Sequence, residues 1–265
     1  VAHNQPSEYL DELFGMTGQV AVVIGGTGVL CGALSRGLSR AGAKVVVAGR
    51  DAERGAACVA EMRTLSAPCC YLPVDVLRRE SIQELLDCAL REYGQVDMLV
   101  NGAGVNSASA YFDTADEDFT RVLDSNLRAV HWGCQIFGRH MASQPQGGAI
   151  LNIGSVTADR PLSRVFAYSA SKAAVINLTQ NVARELAPQK VRVNALCPGF
   201  FPAEQNRKIL DAERTAGIMA GTPMKRYGEP DELIGAALLL LSRRAGSFIT
   251  GASYYVDGGF TATRF

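Results

Sequence analysis

What most constrains this chain is an alternation of two hydrophobic periods along nearly its whole length. Short runs rich in β-branched residues, at 20–24, 44–48, 70–74, 98–101, 149–153, 191–196 and 253–256, are separated by stretches of helical period. Those stretches predict helices from Gly28 to about 41, from an N-cap at Asp51 to about 65, over about 81–93, 117–142 and 166–187, and from Asp231 onward. Runs that stay apolar mark strands buried on both faces, and parallel neighbours need crossovers of this length. The expected architecture is α/β: a single doubly wound (Rossmann) domain over residues 1–265, with a mostly parallel seven-stranded sheet and helices on both faces. Residues 1–17 read as a lead-in and residues 200–222 as a segment covering the sheet's end.

Composition narrows what such a domain can do. Lys plus Arg (26) cancel Asp plus Glu (26), which argues against a broad electrostatic grip on nucleic acid or on an anionic membrane. The seven cysteines show no paired C-x-x-C spacing, and the three histidines (His3, His131, His140) form no H-E-x-x-H set. The cysteines read as reduced thiols of a cytoplasmic protein, and no metal site is expected. Residues 1–16 lack the basic-then-apolar layout of a secretory signal, and the apolar run around 238–241 is too short to span a bilayer. A small molecule is the expected partner.

The turn after the first strand reads Gly25-Gly26-Thr27-Gly28-Val29-Leu30-Cys31-Gly32. A dinucleotide pyrophosphate needs backbone N–H groups at a helix N-terminus and no side chain in its way. Gly26-x-Gly28-x-x-Cys31 is the G-x-G-x-x-G fingerprint with its last glycine replaced, at a position that serves close helix–strand packing. Cys31 reads as a small packed residue in preference to a redox thiol. The second strand ends Ala48-Gly49-Arg50, where an acid would accept the ribose hydroxyls of NAD. Arg50 instead suits a 2′-phosphate, so NADP is preferred over NAD, with Asp51 as a helix cap.

Tyr168 and Lys172 stand at i and i+4 on one helical face. A close cation lowers a phenol's pKa, and a phenol so tuned exchanges a proton with a substrate oxygen near neutral pH. The pair has company at expected strand ends: Ser155 after the fifth strand, Asn101-Gly102-Ala103-Gly104 after the fourth, and Pro198-Gly199 after the sixth. Asn126 lies inside an expected helix, where an asparagine needs a reason beyond propensity.

The chain resembles the short-chain dehydrogenase/reductase family over essentially its whole length. The matching stretches are LVNGAG at 99–104, SNL at 125–127, NIGS at 152–155, YSASK at 168–172, VRVNA at 191–195, PG at 198–199 and VDGG at 256–259. The resemblance implies an NAD(P)-dependent oxidoreductase with a tetrad of Asn126, Ser155, Tyr168 and Lys172. Ser155 would bind the reacting oxygen and Tyr168 would transfer the proton. Lys172 would hold the nicotinamide ribose and lower the phenol's pKa, and Asn126 would fix a water linking Lys172 to solvent. The cofactor would lie against Gly25, Thr27, Gly28, Val29 and Leu30, against Arg50, and against Asp75 and Val76 at the adenine. Asn101, Gly102 and Ala103, with Pro198, Gly199 and Phe201, would hold its adenosine and carboxamide ends.

The chain also departs from the family pattern. T-G-x-x-x-G-x-G reads Ile24-Gly25-x-x-x-Val29-x-Cys31, N-N-A-G has become Asn101-Gly102-Ala103-Gly104, and Ala203 stands for the threonine after Pro198-Gly199. Stretches at 198–207 and 222–230 resemble the D-mannonate oxidoreductase (fructuronate reductase) branch, which implies a hexuronate or related sugar acid. Arg160, Arg164 and Arg207 suit a carboxylate, and Ser155, Gln205 and Asn206 suit hydroxyls. Two other functions stay open: reduction of another carbonyl such as a 3-oxoacyl thioester, and a non-catalytic cofactor-binding regulator, which would need no tetrad. The apolar helix from Asp231 is expected to wedge against the sheet or a second copy, and the family resemblance implies a homodimer or homotetramer.

Overall fold

In the computed structural model, which describes residues 6–64, 67–201 and 212–263, the seven expected strands form one sheet. They are β1 (Val20–Ile24), β2 (Lys44–Gly49), β3 (Cys69–Pro73), β4 (Met98–Asn101), β5 (Gly148–Ile153), β6 (Val191–Pro198) and β7 (Ser253–Val256), in the order β3-β2-β1-β4-β5-β6-β7. Every pairing is parallel, so the sheet is wholly rather than mostly parallel. Even β7 arrives by a helical crossover and pairs Ser253 with Ala195 of β6. The strand order reverses between β1 and β4, and the crevice beyond their carboxyl ends is where such a sheet takes a ligand.

Described helices are α1 (Pro6–Phe14), α2 (Val29–Arg40), α3 (Ala52–Met62), α4 (Arg79–Tyr93), α5 (Asp116–Leu123), α6 (Ala129–Ser143), α7 (Phe166–Leu186), α8 (Ala212–Gly221) and α9 (Ile234–Leu241). Side chains of β1 alternate between two cores because strand residues alternate faces. Ala21 and Val23 pack with Leu34 and Leu38 of α2, Met62 of α3 and Leu240 of α9. Val20, Val22 and Ile24 pack with Ile82 and Leu85 of α4, Phe137 of α6 and Val175 of α7. Both faces are covered, which is why the strands read as continuous apolar runs.

Three elements depart in detail from the sequence reading. The single helix expected over 117–142 is α5 and α6 joined by one stretch of π-helix, Asp124–Arg128, with Asn126 inside it. The lead-in contains α1, whose end docks on the segment after α9 through Ser242 Oγ donating to the Leu13 carbonyl at 2.5 Å. The apolar segment from Asp231 begins as a 3₁₀ turn (Pro230–Leu233) capped by Glu229 and Glu232. Its helix α9 then packs against α2 and β5, burying Ala237, Leu240 and Leu241.

Candidate active site and cofactor cleft

The third residue of α7 is Tyr168, and one helical turn later Lys172 points into the protein, only 4% exposed. Its ammonium donates to the Ile153 carbonyl at the end of β5 (2.7 Å) and lies 5.6 Å from the centre of the Tyr168 ring. Ser155, two residues beyond β5, is extended and buried, and its Oγ accepts from the Thr157 amide (3.1 Å) while contacting the Thr157 hydroxyl (3.0 Å). That bonding holds Oγ in place at the strand's carboxyl end, where it faces the phenol.

Burial pushes Lys172 down to about 8 and pushes the Tyr168 phenol above its ordinary value, against the pull of the Ser155 hydroxyl. The i, i+4 spacing leads one to expect a lowered phenol, and the structure shows the reverse. The reason is desolvation: burial disfavours the charged phenolate and outweighs the hydrogen bond from Ser155. Cys31 and Cys197 lie close enough to feel the Lys172 charge, but burial raises both thiols to about 12 and keeps them neutral.

Asn126 is fully buried, and the π-segment is what lets it turn inward. Its Nδ2 donates to the Val105 carbonyl (2.9 Å) and to Ser171 Oγ (3.1 Å), and its Oδ1 accepts from the Val105 amide (2.8 Å). Ser171 in turn donates to the Tyr168 carbonyl at 2.7 Å. Asn126 thus ties the loop after β4 to the turn of α7 that carries Tyr168. One residue on, the Asn106 Oδ1 is buried with no hydrogen-bond partner among the described residues.

The glycine turn forms one wall of a cleft of about 680 Å³, beside this cluster. Gly25 has φ +83°, and a Cβ there would stand 2.8 Å from the Ala103 amide nitrogen, so neither the conformation nor the space admits a side chain. Gly28 is the N-cap of α2 and offers no capping side chain, which leaves the first-turn N–H groups free for an anion. Residues and cavity therefore fit a dinucleotide pyrophosphate. Of the residues expected at a cofactor, Gly25, Thr27, Gly28, Arg50, Val76, Gly102 and Ala103 line this cleft.

Two departures from the family pattern meet in space. A Cβ on Gly102 would lie 2.1 Å from Cys31 Sγ. The thiol occupies the room that a side chain at 102 would need, so Cys31 and Gly102 form one complementary contact between α2 and the end of β4. Val29, the other replaced glycine, is 44% exposed and points away from the packing. Both replacements leave the backbone of the turn intact.

The remaining candidates are placed differently. Leu30 packs partly into the core, and Asp75 spends its carboxylate on the Leu77 amide (3.1 Å). Asn101 turns into the core instead of the cleft, donating to Asn152 Oδ1 (2.9 Å), whose amide donates to Thr179 of α7 (2.9 Å). Pro198 ends β6 and Gly199 abuts Asp257, while Phe201 is buried and lines a separate cavity of about 480 Å³ with Phe200, Met224 and Tyr255. Arg160 reaches the Thr261 carbonyl (3.3 Å) and the Asp159 carboxylate (3.6 Å), and Arg164 is exposed with its carbonyl taking the Ser109 amide (3.1 Å). Gln205, Asn206, Arg207 and Ala203 lie outside the described residues.

Arg54 was not anticipated. Asp51 caps α3 as expected, accepting from the Arg54 amide (3.0 Å), and Arg54 lines the cleft with Arg50 and Asp51. The sign was available: a residue three after an N-cap sits one turn along the helix, facing the same end. No group of metal-ligating side chains, and no helix long and apolar enough to cross a membrane, occurs among the described residues. All seven cysteines are free.

A doubly wound parallel sheet with a glycine-turn cleft, and a serine and a tyrosine–lysine pair at its carboxyl edge, defines a nicotinamide-dependent oxidoreductase. A family model described as enoyl-(acyl carrier protein) reductase matches residues 30–261. The UxuB oxidoreductase of Bacillus subtilis (strain 168), whose reaction is uncharacterised, is 37% identical over 93% of this chain and 96% of its own length. A gluconate 5-dehydrogenase of Burkholderia cenocepacia J2315, solved with NADP and tartrate, superposes with a TM-score of 0.90 at 31% identity, covering 96% of this chain and 100% of that one. A protein of Haemophilus influenza assigned as a D-mannonate oxidoreductase, solved with NAD, superposes at 0.88 with 30% identity, covering 94% and 97%. The chain belongs to the short-chain dehydrogenase/reductase family, and it is an NAD(P)-dependent oxidoreductase.

Proposed function

We propose that this protein interconverts a hydroxyl and a keto group on a sugar acid, of which D-mannonate/fructuronate is one pair, using NADP(H) in preference to NAD(H). The observation that carries the chemistry is the Ser155 hydroxyl facing the Tyr168 phenol over a buried Lys172, beside the cleft. A nicotinamide dinucleotide, when bound, supplies or accepts the hydride and, oxidised, brings a positive ring. Tyr168 gives or takes the proton at the substrate oxygen, and Ser155 Oγ holds that oxygen by a hydrogen bond. Lys172, cationic below about 8, has two N–H donors left after the Ile153 carbonyl, suited to ribose hydroxyls. Asn126 is a positioning residue, acting through Val105 and Ser171.

The substrate class is supported by two structural relatives titled for sugar acids, a gluconate 5-dehydrogenase and a protein assigned as a D-mannonate oxidoreductase. Arg160 supplies a cation in the loop after β5. Arg164 and, from the undescribed segment, Gln205, Asn206 and Arg207 complete the candidate set. For the cofactor, Arg50 and Arg54 line the cleft where β2 ends, and Asp51 is occupied as a cap. Two guanidinium groups there suit a 2′-phosphate better than two ribose hydroxyls.

One panel tests the reading: D-mannonate, D-gluconate, fructuronate and 5-keto-D-gluconate against a 3-oxoacyl thioester, with each cofactor, followed by nicotinamide absorbance. Turnover of a sugar acid with NADP(H) is expected. Preference for the thioester overturns the substrate class. Arg50→Ala and Arg54→Ala should each weaken NADPH by about tenfold while sparing NADH, and equal losses overturn the cofactor preference.

A further inference from the structure

A serine hydroxyl brings two lone pairs and one proton, and which of them a substrate meets depends on what the protein has already filled. Ser155 caps a 3₁₀ turn, Val156–Ala158, and is only 8% exposed. Its Oγ accepts from the Thr157 amide at 3.1 Å and from the Thr157 hydroxyl at 3.0 Å. Any non-proline residue at 157 would supply the amide, but the second donor needs a hydroxyl on the side chain. Thr157 is itself buried, so no solvent competes for that bond.

With both lone pairs taken, Ser155 Oγ has only its proton left to offer, and the group it faces is the Tyr168 phenol. The backbone of Ser155 is fixed as well. Its carbonyl takes the Ala158 amide (3.1 Å), and its own amide faces the Cys197 sulfur at the end of β6. Accepted hydrogen bonds polarise an O–H group and strengthen its donation. A donor aimed before the reaction begins needs no reorientation as charge builds on the substrate oxygen.

We infer, on the roles given above to Ser155 and Tyr168, that Thr157 is a positioning residue which holds Ser155 as a donor, never an acceptor, at the reacting oxygen. A keto oxygen has lone pairs and no proton, so it accepts from Ser155 and takes its proton from Tyr168. In the reverse direction the alcohol's proton finds no lone pair on Ser155 and goes to Tyr168 alone. The threonine thus gives the proton one route and the serine one duty.

Thr157→Val keeps the shape of the side chain and loses its hydroxyl, whereas Thr157→Ser keeps the hydroxyl and loses a methyl. On the best substrate of the panel above, Thr157→Val should lower kcat by about tenfold while KM and the dinucleotide dissociation constant move by less than about threefold. Thr157→Ser should recover most of that loss. In a Ser155→Ala background, Thr157→Val should cost nothing further, because the residue acts only through Ser155. Weaker donation also favours the phenolate less, so the rise of alcohol oxidation with pH should move to higher pH in Thr157→Val. Lys172 and the neutral Cys197 thiol, which also face the phenol, are untouched by the change. Without any substrate, phenolate absorbance of each chain titrated against its Tyr168→Phe counterpart should show the same upward move. Thr157→Ala, which also lacks the hydroxyl, serves where valine disturbs the turn. Parental kcat in Thr157→Val, equal losses with and without Ser155, or an unmoved phenol titration overturns the assignment. Turnover that survives both Ser155→Ala and Tyr168→Phe overturns instead the roles on which it rests.

Discussion

The glycine turn and the first turns of α7 stand on the same edge of the sheet and have kept different things. The turn has lost two glycines of the family pattern, at Val29 and Cys31, yet its backbone still has Gly25 at positive φ and an uncapped start to α2. The helix has kept every side chain of its motif. A phosphate cradle is made of backbone N–H groups, so a side chain is tolerated wherever it points away or finds room. Proton transfer is made of side-chain atoms, and a phenol or an ammonium has no stand-in. What a site is built from decides which of its positions can change.

The sharpest way to break this comparison is Tyr168→Phe. Turnover should fall by about 10²–10⁴-fold while cofactor affinity, measured by fluorescence titration, hardly moves. A variant that still turns over at the parental rate removes the phenol from the chemistry.

Lys172 gives the next largest effect, read in stability. Its folded pKa of about 8 lies below its ordinary 10.5, so the unfolded chain binds more protons between these values. The native state therefore gains stability as pH rises through that window, and loses it as pH falls toward 8. Relative to Lys172→Met, which has no such proton, the parent should gain up to about 3 kcal/mol from pH 8 to 10.5 in denaturant unfolding. A constant difference across that range contradicts the buried ammonium.

The turn itself yields smaller numbers. Gly102→Asn should destabilise by about 1–3 kcal/mol because its side chain meets Cys31, and adding Cys31→Gly should recover most of the loss. Additive losses in thermal unfolding would show that the two positions do not share one space. Val29→Gly should change stability by less than about 1 kcal/mol and leave the dinucleotide dissociation constant within a factor of a few. A large gain in affinity would mean that the valine obstructs the cradle after all.

The sequence made a good part of this legible. Apolar runs at 20–24 and 98–101 announced strands buried on both faces, and they lie side by side as β1 and β4. Asp51 announced itself as a cap and is one. Asn126 could be singled out inside a helix because its type is out of place there, but the π-segment that turns it inward could not be read from spacing. Asn101 looked like a cleft residue from its motif, and its side chain belongs to a buried amide network with Asn152 and Thr179. Strand ends locate a residue along the sheet but do not say to which side it turns.

By itself the sequence determined the order of elements, the family, and the spacing that puts Tyr168 and Lys172 on one helical face. Those properties follow from neighbours in the chain, whose periodicity and backbone preferences act over a few residues. Only the tertiary structure decided that Cys31 fills the space beside Gly102, that Arg54 joins Arg50, and that burial lowers the Lys172 ammonium and raises the Tyr168 phenol. These depend on desolvation and on contacts between residues far apart in the chain, which exist only once the crossovers have packed on the sheet.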